Sequence, residues 1–298
     1  MTAHLAMARP QKAPMALRLL QLAREVGARP SGAIGLFLVV LHLVVAVLSP
    51  LLVPYDFKAI SAVLMLSPPD SAHWFGTDQL GRDVLTRTLL GGREAILVTL
   101  LATPIAVVWG GFAGMYLGLV GGRLDAVLMR VVDAFLALPW ILKMLLLIVT
   151  FGTGIGVLIP TLAVFYGIPV IRIARAAAHN VVARDYVVAA RARGHGRLSI
   201  IFKEIFPNVL DALMVEGAMR WSWMLLAFSS LSFLGFGVSP PTPDWGLMIA
   251  DSRTFLPIAP WAGLYPIAAL SSLIIGINLT ADALAKALGV DRAHKAPI

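Results

Sequence analysis

Lys143 stands inside a strongly apolar run, Trp140-Ile141-Leu142-Lys143-Met144-Leu145-Leu146-Leu147-Ile148. A cation placed there costs a few kcal/mol in hydrocarbon, and ionisable groups kept at such positions usually serve a function. Lys143 could line a solute pathway and attract a solute carboxylate. The alternatives are a lysine snorkelling from a near-surface turn, or one paired with Asp133. Glu216 and Arg220 are four apart and suit an intrahelical ion pair. His42 has no ligand partner at helical spacing and reads as structural. Asp125 and Asp133 form no recognisable catalytic pair. The chain has six His and no Cys, which excludes disulfides, thiol catalysis and cysteine metal sites. An intramembrane enzyme would need nucleophile, base or metal ligands converging within the spans, and these scattered groups do not supply them. No Gly-x-x-x-x-Gly-Lys-Ser/Thr phosphate loop occurs, so any ATP must be handled by another chain.

The elements that hold these residues are membrane helices. Of 298 residues, 59% are hydrophobic and 13% charged, against about a quarter charged in soluble domains. Apolar runs long enough to cross a bilayer of roughly 30 Å predict an all-α membrane protein with about six spans. They are expected near 33–53, 94–119, 126–150, 155–178, 209–236 and 262–285. The first run is too long for a signal-peptide core and is expected to be retained. Gly110, Gly111, Gly114 and Gly118 give the second span the small-residue spacing of a close helix contact.

Basic residues set the expected orientation. The N-terminal stretch Arg9 to Arg29, Arg123 in the 120–125 turn, the 179–208 segment and the C-terminal Lys286, Arg292 and Lys295 fall on one side, read as cytoplasmic. Both termini are then inside. The net charge of +8 is therefore a topology signal, and no nucleic-acid partner is expected, because the basic residues lie in short segments between spans. The organisation expected is a cytoplasmic segment 1–32, a first helix 33–53, an external loop 54–93, a transmembrane core 94–285 and a cytoplasmic tail 286–298. Membrane lipid surrounds the spans. No internal repeat is visible, which lowers the standing of a self-contained secondary transporter or channel.

The longest cytoplasmic loop is the most informative segment. Arg184-Asp185-Tyr186-Val187-Val188-Ala189-Ala190-Arg191-Ala192-Arg193-Gly194 predicts a short helix, a Gly194-His195-Gly196 break, and a second helix running to Pro207-Asn208. Tyr186, Ala189 and Ala190 are three to four apart and are expected to share one face that another protein approaches closely. Gly194 suits a reversal with positive φ, and Pro207 suits the first turn of the next span. Contact with anionic lipid is the competing reading of this basic loop.

This pattern resembles the cytoplasmic Glu-Ala-Ala loop of ABC importer permeases, through Ala189, Ala190, Gly194, Ile205 and Pro207. Val188 stands where that family has Glu. Two further stretches resemble the dipeptide/oligopeptide/nickel permeases, specifically their second-permease type. They are His73-Trp74-Phe75-Gly76-Thr77-Asp78-Gln79-Leu80-Gly81-Arg82-Asp83-Val84-Leu85-Thr86-Arg87, and Leu231-Ser232-Phe233-Leu234-Gly235-Phe236-Gly237-Val238 followed by Pro240-Pro241-Thr242-Pro243-Asp244-Trp245-Gly246. Asn278 and Asp282 match as well, so the resemblance covers roughly residues 30–290 in one order.

The resemblance implies a type I ABC importer permease fold in a bacterial inner membrane. It also implies a non-catalytic subunit without cofactors of its own. Its implied partners are a second related permease, two cytoplasmic ATPases that bind ATP, and an external solute-binding protein that delivers peptides or related solutes. The coupling loop would comprise Tyr186, Ala189, Ala190, Gly194, Ile205 and Pro207. Asp78, Arg82 and Asp83 are expected to pair with one another in the external loop rather than touch solute. The prolines of 237–246 are expected to stiffen a second external loop.

Overall fold

A computed structural model describes residues 15–290. The expected cytoplasmic residues Arg9, Lys12, Arg292 and Lys295 lie outside the described residues. The chain begins with α1 (Met15–Gly27) and α2 (Pro30–Leu52), then α3 (Val84–Gly91) and α4 (Arg93–Val120). Next come α5 (Gly122–Ala137), α6 (Trp140–Phe151) and α7 (Ile155–Val182), followed by the short α8 (Asp185–Ala192) and α9 (Arg197–Ile200). A π-turn (Ile201–Ile205) leads into α10 (Phe206–Phe233), and α11 (Trp245–Ser252) and α12 (Trp261–Ala287) complete the order.

Local chemistry explains the boundaries. Pro30 opens α2, where its missing N–H costs nothing. Asp83 caps α3 by accepting from Thr86 N–H at 2.7 Å. Gly121 and Gly122, at φ +61° and +66°, make the tight reversal between α4 and α5 that few other residues adopt.

Among the described residues four helical units are long and apolar enough to cross a membrane by themselves: Pro30–Leu52, Val84–Val120, Ile155–Val182 and Trp261–Ala287. The third expected span, 126–150, is not one straight helix. α5 and α6 meet at 88°, because Pro139 has no N–H to continue the ladder and holds Leu138 extended at ψ 136°. Counted as one unit, this bent pair is a fifth candidate span. The expected fifth span corresponds to α10, which has 28 residues but is made too polar to qualify by composition by Glu216, Arg220 and its serines.

The bundle is organised around α4 lying along α7. A Cβ added to Gly114 would meet the Cβ of Ala174 at 2.7 Å, and one at Gly118 that of Ala178 at 2.8 Å. Small residues thus let the two backbones touch, the way polar-backbone helices associate without a hydrophobic drive between them. α2 lies against α12, with Gly35 facing Thr280 and Gly276 facing Leu38. α10 packs across this frame, and Met224, Leu225, Phe228 and Leu231 are fully buried in the main core.

Candidate functional site

The segment between α7 and α10 is seated on the bundle by its own apolar residues. Val187 and Ala190 of α8, with Ile200, Ile201 and Ile205, are buried in a second core with Met115, Val170 and Ala174 of the spans. Arg191 Nη2 donates to the Leu119 carbonyl at 3.0 Å, satisfying an open acceptor in the last turn of α4. α8 stops at Gly194, whose φ of +79° reverses the chain, with Gly194 N–H donating to the Arg191 carbonyl at 2.9 Å and His195 N–H to the Ala190 carbonyl at 3.2 Å. The π-turn then absorbs the approach to Pro207, which cannot donate to the helix ladder and enters α10 in its first turn.

Tyr186, Ala189 and Ala190 are not exposed together. Ala190 points into the core with Val187, while Tyr186, Val188 and Ala189 are exposed. At about 100° per residue Ala190 falls about 60° from Val187 and shares its buried side, whereas Ala189 falls about 160° away and stays outside. Ile205 is likewise an anchor within the second core. Leu198 and Phe202 extend the exposed apolar surface, at 57% and 58% exposure. Their four-residue spacing within the second predicted helix was the signal that could have found them.

At the opposite end of the bundle, the 54–93 loop folds on polar contacts. Arg82 Nε donates to Asp78 Oδ2 at 2.6 Å, as expected. Asp83 does not join that pair: besides capping α3 it lies 2.9 Å from His73 Nδ1. Asp251 of α11 approaches Arg82 at 3.8 Å, and Arg87 Nη1 donates to the Phe57 and Pro241 carbonyls at 3.3 and 3.5 Å. The proline segment contains a cis Pro240–Pro241 bond and ends on Asp244, which caps α11 by accepting from Leu247 N–H at 3.1 Å.

Within the bundle, Lys143 does not pair with Asp133, which instead meets Arg172 at 2.9 Å. Lys143 Nζ donates to the Phe135 carbonyl at 2.6 Å and lies 5.7 Å from the centre of the Phe165 ring. Asp125 pairs with Arg175 and Glu216 with Arg220. His42 Nδ1–H donates to the Leu38 carbonyl at 2.8 Å, with Nε2 3.2 Å from Ser272 Oγ, which ties α2 to α12. A cavity of about 400 Å³ contains Lys143 and Arg220 in its wall. A larger apolar groove of about 700 Å³ runs between α4 and α10, past Pro104, Gly111, Phe112, Leu213, Gly217 and Trp221.

Residues 110–291 match the family model of the binding-protein-dependent transport system inner membrane component. The chain belongs to this family. The permease is 37% identical over 284 residues to the dipeptide transport system permease protein DppC of Escherichia coli K12, covering 93% of this chain and 94% of that one. It is 35% identical over 259 residues to the protein of the same name from Bacillus subtilis 168, covering 85% and 80%. The oligopeptide transport system permease protein OppC of B. subtilis 168 is 31% identical over 259 residues, covering 86% and 84%. The chain is therefore a multi-pass membrane permease subunit of an ABC importer, and its role is non-catalytic.

Proposed function

We propose that this permease moves peptides inward across a bacterial inner membrane as one of two related permease subunits. Two cytoplasmic ATPases bind and hydrolyse ATP, and an external binding protein delivers the peptide. The coupling loop 179–208 and both termini face the cytoplasm, and the 54–93 and 237–261 segments face outside, in line with the distribution of Lys and Arg.

The observation that carries this reading is the two-sided α8. Its inner side, Val187 and Ala190, is locked into the span core, while its outer side offers Tyr186, Val188 and Ala189. A surface fixed to α4, α7 and α10 in this way can transmit the closure of a docked ATPase to the spans as rigid-body movement. Gly194 and Pro207 shape the turn and the entry to α10. The relatives named for dipeptide and oligopeptide transport support the choice of solute.

The test is a mild-detergent pull-down of tagged protein from native membranes, with all co-purifying chains identified. Recovery of a second permease and one or two ATPases is the expected result. Recovery of this chain alone, moving solute after reconstitution without ATP, would replace the proposal with a secondary transporter.

A further inference from the structure

The cavity under the α5–α6 elbow has an unusual wall for the inside of a membrane protein. Lys143 of α6 and Arg220 of α10 both line it, and Trp140, Phe165, Tyr166 and Trp223 supply its aromatic sides. Asp133 is taken by Arg172 and Glu216 by Arg220, so neither acid neutralises Lys143 and the wall stays net positive. The Lys143 ammonium makes one hydrogen bond, to the Phe135 carbonyl, of the three it can donate.

Helix lengths give the depth. From residues 126, 178 and 209, where the expected spans meet the α8 side, the helix rise to Ala137, Tyr166 and Arg220 is about 16–18 Å at 1.5 Å per residue. The cavity therefore lies near the middle of a hydrocarbon layer of roughly 30 Å. An unneutralised cation at that depth faces a water-filled path or protein rather than lipid. The break itself points the same way. α6 starts at the cavity, so its unpaired first-turn N–H groups add positive potential, the arrangement by which discontinuous helices hold anionic groups in transporters.

We propose that this cavity is a transient binding site for the free carboxylate of a passing peptide, with Lys143 and Arg220 as donors and the four aromatic side chains as walls. The inference rests on the peptide reading above and adds where in the permease the solute's charge is held.

The importer is purified with its co-purifying chains but without binding protein, and titrated with millimolar trialanine or its C-terminal amide, trialaninamide. Quenching of tryptophan fluorescence reports occupancy, because Trp140 and Trp223 are in the wall. Trialanine is expected to quench saturably and about tenfold more tightly than the amide, the value of one or two hydrogen bonds to a charged group. Lys143→Gln, which keeps a donor for the Phe135 carbonyl, is expected to abolish the preference, and Lys143→Arg to restore it. If Lys143→Gln fails to co-purify with its partners, the preference of the wild type for trialanine over the amide still decides the matter. Equal quenching by both probes, no quenching by either, or a preference untouched in Lys143→Gln would overturn the site. ATP-driven uptake of trialanine by the wild-type importer in vesicles, with the external binding protein added back, is measured alongside. Uptake with equal quenching overturns the carboxylate site alone, and no uptake overturns the peptide reading and the site with it.

Discussion

Ala190 is fully buried beside Val187, whereas Ala189 projects from the outer side of α8. Ala190→Leu forces a larger side chain into a filled core and is expected to cost about 1–3 kcal/mol. It should lower the thermal midpoint of the purified protein. Ala189→Leu points away from the bundle and should leave that midpoint alone while weakening ATPase co-purification. Equal destabilisation by both would show that α8 is not seated as described. Gly194 has open space around its Cα and a φ of +79°, so its replacement acts through backbone strain, about 1–2 kcal/mol for an L-residue. Gly194→Asp adds a negative charge next to Arg191 and Arg193. The variant is expected to reach the membrane and keep ATP hydrolysis while losing uptake; normal uptake would count against docking through this turn. The sequence made the turn and the Pro207 entry readable, because glycine and proline constrain backbone directly. It did not reveal that Ala190 faces inward, since alanine suits a tight core as well as a close docking surface.

At the scale of elements, two glycines of α4 three residues apart show what the seam with α7 requires. A Cβ at Gly114 would collide with the Ile171 carbonyl and the Ala174 side chain, both on a rigid helix. At Gly111 the nearest atoms are the ends of the Leu213 side chain at 3.2 and 3.3 Å, across the open groove to α10. Gly114→Ala should therefore push two helices apart and lower the thermal midpoint by several degrees, while Gly111→Ala should be close to neutral. Comparable losses at both positions would argue against an α4–α7 backbone contact. The glycine spacing announced this seam from the sequence. The 88° elbow between α5 and α6 was not announced, because hydropathy is continuous across Leu138–Pro139 and reports that a segment is apolar, not that it is straight.

The whole molecule is held differently at its two ends. The α8 end is sealed by an apolar core running from Met115 to Leu213, which is insensitive to pH. The opposite end is stitched by polar contacts between distant stretches: Trp261 Nε1 to the Thr77 carbonyl at 3.1 Å, Trp245 Nε1 to the Thr88 carbonyl at 2.8 Å, and the Arg82 link between Asp78 and Asp251. Asp244, at the head of α11, is completely buried. Burial pushes its carboxyl up to about 6 from an ordinary 3.8, the Leu247 N–H pulls against this, and the Glu94 charge adds to the rise. Burial raises Asp251 in the same direction. A carboxyl whose folded value is raised binds its proton more tightly in the native state than in the unfolded chain. Its stabilising contribution is full below about pH 4 and is lost as pH rises through about 6. The wild-type protein should therefore be more thermostable near pH 5 than near pH 7.5, if other groups are left constant. Asp244→Asn keeps an oxygen to cap α11 but removes the charge that has to be buried at neutral pH. It is expected to raise the thermal midpoint at about pH 7.5 by a few degrees, to raise it by about half as much near pH 5, and to flatten the slope between them, with a residual slope from Asp251. Midpoints from intrinsic fluorescence at the two pH values decide it. A slope that is unchanged in Asp244→Asn would place the pH sensitivity elsewhere and would leave Asp244 as an ordinary helix cap.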